Sequence, residues 1–204
     1  MKRFAILSTA LCVMLSGCTT EQPLNDDTTP NIESGTPPEF AEDKPQAQAF
    51  VFKSGVLEIG DFDPYTIGDD IFDPCTEITQ EEFAAAGFED VEPLPEKYAA
   101  FARGMSACDS QNGDELFPPA FMSSNANRKV VAEQVELFDY KSEVLPTLYT
   151  FGPLSGIGPS CYAQIDTVRG AITTIVAGIE GFGDRKQNCD RAINALESLY
   201  QAFH

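Results

Sequence analysis

Tryptophan is absent from this 204-residue chain, and histidine occurs once, as His204 at the end of the sequence. With a single histidine there, a Ser-His-Asp or Cys-His nucleophilic site has no general base to draw on. A zinc site lacks its histidines too, and no CxxC pair replaces them. Basic residues are scarce, 13 Lys and Arg against 32 Asp and Glu, for a net charge of −19. A surface so acidic is repelled by nucleic acid and by anionic headgroups, which excludes a nucleic-acid partner. Past the first fifteen positions no apolar run approaches the roughly 20 residues of a spanning helix. No phosphate-cradling loop is present: Gly156-Ile157-Gly158-Pro159 lacks the third glycine and has proline where a helix should open. No cofactor is expected, and no enzyme activity.

What is present begins at the N-terminus. Lys2 and Arg3 precede an apolar run from Phe4 to Leu15, and Leu15-Ser16-Gly17-Cys18 follows. This is the layout of an exported leader, too short and wrongly flanked to span a membrane. Its last four residues resemble the bacterial lipoprotein signal, which implies cleavage before Cys18 and lipid on its thiol. A thiolate is the side chain nucleophilic enough to accept lipid under mild conditions. Each buried methylene adds about 0.8 kcal/mol, so two or three acyl chains hold firmly. The expectation is a cell-membrane protein, lipid-anchored on the extracytoplasmic face, whose membrane contact is the lipid on Cys18.

Residues 1–17 thus form the leader and 18–47 a lipidated N-terminus with a tether. Pro23, Pro30, Pro37, Pro38 and Pro45 stand there among Thr, Asn, Asp, Glu and Gln, with too little apolar surface to offset ordering entropy. Residues 48–204 form a single extracytoplasmic domain. Cys12 leaves with the leader and Cys18 carries lipid, so Cys75, Cys108, Cys161 and Cys189 remain for two disulfides with three possible connectivities.

Turn and cap signals order the domain. Ser54-Gly55 between Phe50-Val51-Phe52 and Val56–Ile59 predicts a hairpin. Thr79-Gln80-Glu81-Glu82 fits a capping box with Gly87 as the exit. A short helix is expected from Pro95 to Ala102. Asn112-Gly113 between Met105–Ser110 and Leu116–Met122 predicts a second hairpin. Val131, Val135 and Phe138 tilt 127–138 towards helix, and Thr147–Phe151 reads as a strand. Cys161–Val168 and Ala171–Ala177, rich in Ile, Val and Thr, form the best hairpin. Asp184 then starts a helix with Cys189, Ala192, Ile193, Leu196, Leu199, Tyr200 and Phe203 on one face. Tyr98, Phe101, Phe117, Phe121 and Phe138 read as core.

The fold class is α+β: an antiparallel sheet packed by helices, stapled by two disulfides, with a C-terminal amphipathic helix. Cys189 lies on the apolar stripe of that helix, and a short loop joins it to the hairpin that carries Cys161. The pair Cys161–Cys189 is therefore expected, leaving Cys75–Cys108. Each closes a loop of about 30 residues, worth about 3.6 kcal/mol in the chain-entropy account.

Phe72-Asp73-Pro74-Cys75-Thr76-Glu77-Ile78-Thr79, followed by Glu81-Glu82-Phe83-Ala84, resembles the opening of the domain of unknown function 3558 family of actinobacterial envelope lipoproteins. Ser160-Cys161-Tyr162-Ala163-Gln164-Ile165 and Asn188-Cys189-Asp190-Arg191-Ala192 are similar to its later pattern, a cysteine before a strand and an Asn-Cys opening a helix. The resemblance runs over residues 70–203 with Cys108 as the middle cysteine. The sequence departs at Cys108-Asp109-Ser110, where the family tends to carry Trp two residues after the cysteine. The resemblance implies an exported α+β domain with an antiparallel sheet, no established activity and no catalytic residues.

From Ser54 to Glu96 there are thirteen carboxylates and no Lys or Arg. Asp61, Asp63, Asp69 and Asp70 are weak Ca²⁺ candidates, because hard cations take several oxygen ligands. They miss the EF-hand loop, since Pro64 follows the second Asp and no Gly stands at the sixth position. A solvated acidic face is the expected role. The sequence thus reads first as a non-catalytic binding or scaffolding domain with an unknown envelope partner or ligand. The alternatives are a carrier or chaperone for a lipid or other apolar envelope component, and a carboxylate-based hydrolase. A cavity of several hundred Å³ lined by apolar groups favours the carrier. A fully packed domain favours the scaffold, and two carboxylates about 5–9.5 Å apart across a cleft favour the hydrolase.

Overall fold

Alternation of apolar residues is densest at the best hairpin, and the fold grows outward from it. In the computed structural model, which describes residues 48–95, 105–111, 116–155, 158–181 and 183–204, these strands run Cys161–Thr167 and Gly170–Val176. They pair antiparallel through seven residues, Cys161 opposite Val176 and Thr167 opposite Gly170. Gly170 closes the turn at φ +93°, and a Cβ there would lie 2.9 Å from the Ser124 carbonyl, so glycine is required.

Numbered along the chain, the strands are β1 Ala49–Phe52, β2 Gly55–Glu58, β3 Glu92–Pro93, β4 Ser106–Asp109, β5 Ala120–Ser124, β6 Leu137–Phe138, β7 Tyr149–Phe151 and then the hairpin strands β8 and β9. The helices are α1 Pro74–Glu77, α2 Gln80–Ala85, α3 Arg128–Gln134 and α4 Arg185–Gln201. Strands β3 to β9 form one seven-stranded sheet in the order β3-β4-β5-β9-β8-β7-β6. All its neighbours are antiparallel. The β1–β2 hairpin stands apart but bridges to the end of β8 through Ile59 and Thr167. The fold is α+β.

Pleating sends alternate residues to opposite faces. On one face Cys161, Ala163, Ile165, Ile172 and Val176 meet Ala192, Ile193 and Leu196 of α4. Asp184 caps α4, its carboxylate accepting from the Gln187 N–H at 2.8 Å. The stripe from Cys189 to Leu199 is buried, and the Thr174 hydroxyl donates to the Ala192 carbonyl at 2.6 Å. Cys161 is bonded to Cys189, with Cα atoms 5.0 Å apart, and Cys75 to Cys108, with Cα atoms 5.6 Å apart. Phe50, Phe52 and Phe72 stack in sequence at the end of α4 beside Tyr200 and Phe203. Phe121 packs between Phe83 and Phe88, at 5.0 and 4.9 Å between ring centroids.

Three expectations need amendment. The helix expected over 127–138 stops at Gln134, because Leu137 and Phe138 leave it to pair with Phe151 and Thr150 as β6. Strands β4 and β5 do pair, but β5 begins at Ala120 instead of Leu116, so the connection is longer than a tight hairpin. Phe138 is only partly buried and borders a small cavity. The Asn112-Gly113 turn, Tyr98, Phe101, the helix after Pro95, the tether and Cys18 lie outside the described residues.

Candidate functional site

Among the described residues no long helix closes the opposite face of the sheet. Register places Ile175 of β9, Tyr162 of β8 and Phe151 of β7 side by side there, with Met122 of β5 on the same face opposite Thr173. Short helix α3 crosses part of this face with Val131, followed by Val135. Asn127 caps it, its side chain accepting from the Val130 N–H at 3.0 Å. Between helix and sheet lies a cavity of about 520 Å³ bordered by these apolar groups, with Ser124, Asn125, Gln134 and Gln164 among its polar members. Met105 and Leu154 form the rim, 37% and 76% exposed. Such a volume lies within the range of small-molecule sites.

Gln164 is committed to groups around it. The Gln164 amide donates to the Ala126 carbonyl at 2.7 Å and to the Tyr149 hydroxyl, while its carbonyl accepts from Thr173 at 2.8 Å. Tyr149 in turn donates to Asp166 at 3.0 Å, and Asp166 also accepts from the Arg128 N–H at 2.9 Å. The Arg128 guanidinium sits over the Tyr149 ring at 5.3 Å. Burial raises the pKa of the Asp166 carboxyl and, with the Asp166 charge beside it, holds the Tyr149 phenol protonated far above its ordinary range. This network fixes the start of α3 against β8, and among the described residues no carboxylate borders the cavity itself.

The acidic candidates are placed apart. Asp70 pairs with Arg169, and Asp63 accepts from the Tyr65 N–H in its own turn. Asp61 lies near enough to Asp166 to raise its pKa, and Asp69 is exposed. Among the described residues no three His, Cys, Asp or Glu side chains gather as a cation site. Nor is any helix there long and apolar enough to cross a membrane.

The model of the family described as Protein of unknown function (DUF3558) matches residues 13–202. The chain belongs to that family. No curated protein and no solved structure matches the chain significantly. The family-like opening from Asp73 to Glu82 is occupied with folding. Asp73 caps α1 with Pro74 at its first turn, Cys75 makes a disulfide, and Ile78 is buried. Thr79 and Glu82 form a reciprocal capping box on α2. Glu82, 1% exposed, also accepts from the Lys53 N–H of the β1–β2 turn at 2.5 Å. Burial alone would raise its pKa, but the hydrogen bonds from Thr79 and Lys53 outweigh it and hold the carboxyl below its ordinary range.

The cavity residues were not foreseen from sequence. Met105, Met122, Phe151, Leu154 and Tyr162 are scattered over some sixty positions, and nothing local distinguishes them from core.

Proposed function

We propose that this chain is a lipid-anchored extracytoplasmic binding domain, without catalysis, that carries an apolar envelope component in the cavity between α3 and the sheet. The cavity of about 520 Å³ is the observation that carries this reading over a scaffold. A scaffold has no use for an unfilled apolar face, whereas burial of a ligand there recovers about 25 cal/mol for each Å² of apolar surface. The leader and Leu15-Ser16-Gly17-Cys18 support anchoring, which would keep the domain beside membrane-derived ligands.

Binding of the neutral apolar dye Nile red tests the reading. The full chain carrying Cys18→Ser should bind it saturably, and adding Ile175→Glu, which places a charge on the cavity floor, should abolish binding while leaving the circular dichroism unchanged. Equal binding by the Ile175→Glu protein would refute the cavity as the site.

A further inference from the structure

A second, smaller cavity of about 280 Å³ adjoins the first and shares Gln134, Val135, Gly152, Pro153 and Leu154 with it. Glu136, Phe138 and Arg185, the last being the first residue of α4, border it and not the larger one. Arg185 is the only cation bordering either cavity among the described residues. Its guanidinium lies 4.8 Å over the Phe138 ring and donates from Nη2 to the Gly158 carbonyl at 2.8 Å. No carboxylate forms an ion pair with it among the described residues. In a chain with 32 acidic side chains, an arginine left without one beside an apolar groove is conspicuous. The ring and the carbonyl hold the planar group in place, so its remaining donors are oriented before any ligand arrives.

Resting on the binding reading above, we infer that the ligand is a long-chain monocarboxylate, its chain in the larger cavity and its carboxylate on Arg185. One guanidinium balances one negative charge and matches a carboxylate in shape. Glu136, which borders the same small cavity, repels any anion, and a phosphomonoester, with about −1.5 to −2 charges at neutral pH, more strongly than a singly charged carboxylate. The shared wall of Val135 and Leu154 gives the chain an apolar path between the two cavities.

The test is displacement of Nile red from the full chain carrying Cys18→Ser by palmitate, methyl palmitate and hexadecyl phosphate, each below its micelle concentration. Palmitate should displace the dye at about tenfold lower concentration than the ester, the effect of one charge-assisted hydrogen-bonded pair. Arg185→Gln should weaken palmitate to the level of the ester without changing dye affinity, and Arg185→Lys should restore part of the difference. Equal potency of acid and ester, or tighter binding of the phosphate, would overturn the carboxylate assignment while leaving the cavity reading intact. Failure of dye and both palmitate forms to bind would overturn both.

Discussion

Arg169, in the β8–β9 turn, grips Glu77 of α1 with both ends of its guanidinium, Nη1 2.7 Å from Oε2 and Nη2 3.0 Å from Oε1. Nη2 also reaches Asp70 at 3.0 Å, and the group lies 5.7 Å over the Phe72 ring. One cation thereby ties the acidic segment before α1 to the central hairpin. Arg169→Ala should destabilise the domain by about 2 kcal/mol, because it leaves partly buried Glu77 unpaired. For a domain of this size that lowers the melting temperature by about 4–8 °C. Arg169→Lys should recover only part, since an ammonium cannot make the two parallel bonds. An unchanged melting temperature for the alanine variant would show the grip to be energetically idle.

Glu82 should make stability depend on acid. Its folded-state pKa is lowered, so its contribution is fully present above the ordinary glutamate value and disappears as pH falls through the folded value. Asp166 runs the other way: its folded-state pKa is raised, so protonation on acidification relieves a burial cost. Glu82→Gln should therefore flatten the loss of urea stability below about pH 4.3, and Asp166→Asn should steepen the net loss by removing the compensating gain. Parallel curves for wild type and Glu82→Gln would contradict the hydrogen-bonded carboxylate.

Breaking Cys161–Cys189 by double substitution to Ala should cost about 3.6 kcal/mol from loop entropy, and a shift of the urea midpoint measures it. Non-reducing peptide mapping should join Cys75 to Cys108. A peptide linking Cys75 to Cys161 or Cys189 would refute both pairs.

Lipidation is read from membrane fractions. Cys18→Ser should move the protein from membranes to the soluble extracytoplasmic fraction, and unchanged partitioning would refute the anchor. Deleting residues 20–45 should leave the melting temperature within about 2 °C of wild type, as expected of a tether outside the fold.

Elements whose signals are local were legible. The Thr79–Glu82 box and the Asp184 cap are each written within four residues, and the α4 stripe repeats with the helical period. The end of α3 was not, because Phe138 leaves the helix to satisfy a partner, Thr150, that is distant in sequence. The cavity was hidden for a related reason. Tyr162 and Ile165 sit on the same strand and look equally apolar, yet one faces the groove and the other α4. Only the partners beyond each face distinguish them. Arg185 carried no signal at all, since its meaning depends on which acids fail to reach it.

The Cys75–Cys108 and Cys161–Cys189 disulfides and the family-like capping motif lie behind the sheet, on the face toward α1, α2 and α4. Met122, Tyr162 and Ile175 look out from the other side. The sheet therefore works as a partition: substitutions at Met122, Tyr162 and Ile175 reshape the groove without removing a contact of α4, whereas Gln164, buried on the same side, anchors the approach to α3. Deep mutational scanning along β8 should show intolerance at Cys161, Ala163, Gln164 and Ile165 and latitude at Tyr162.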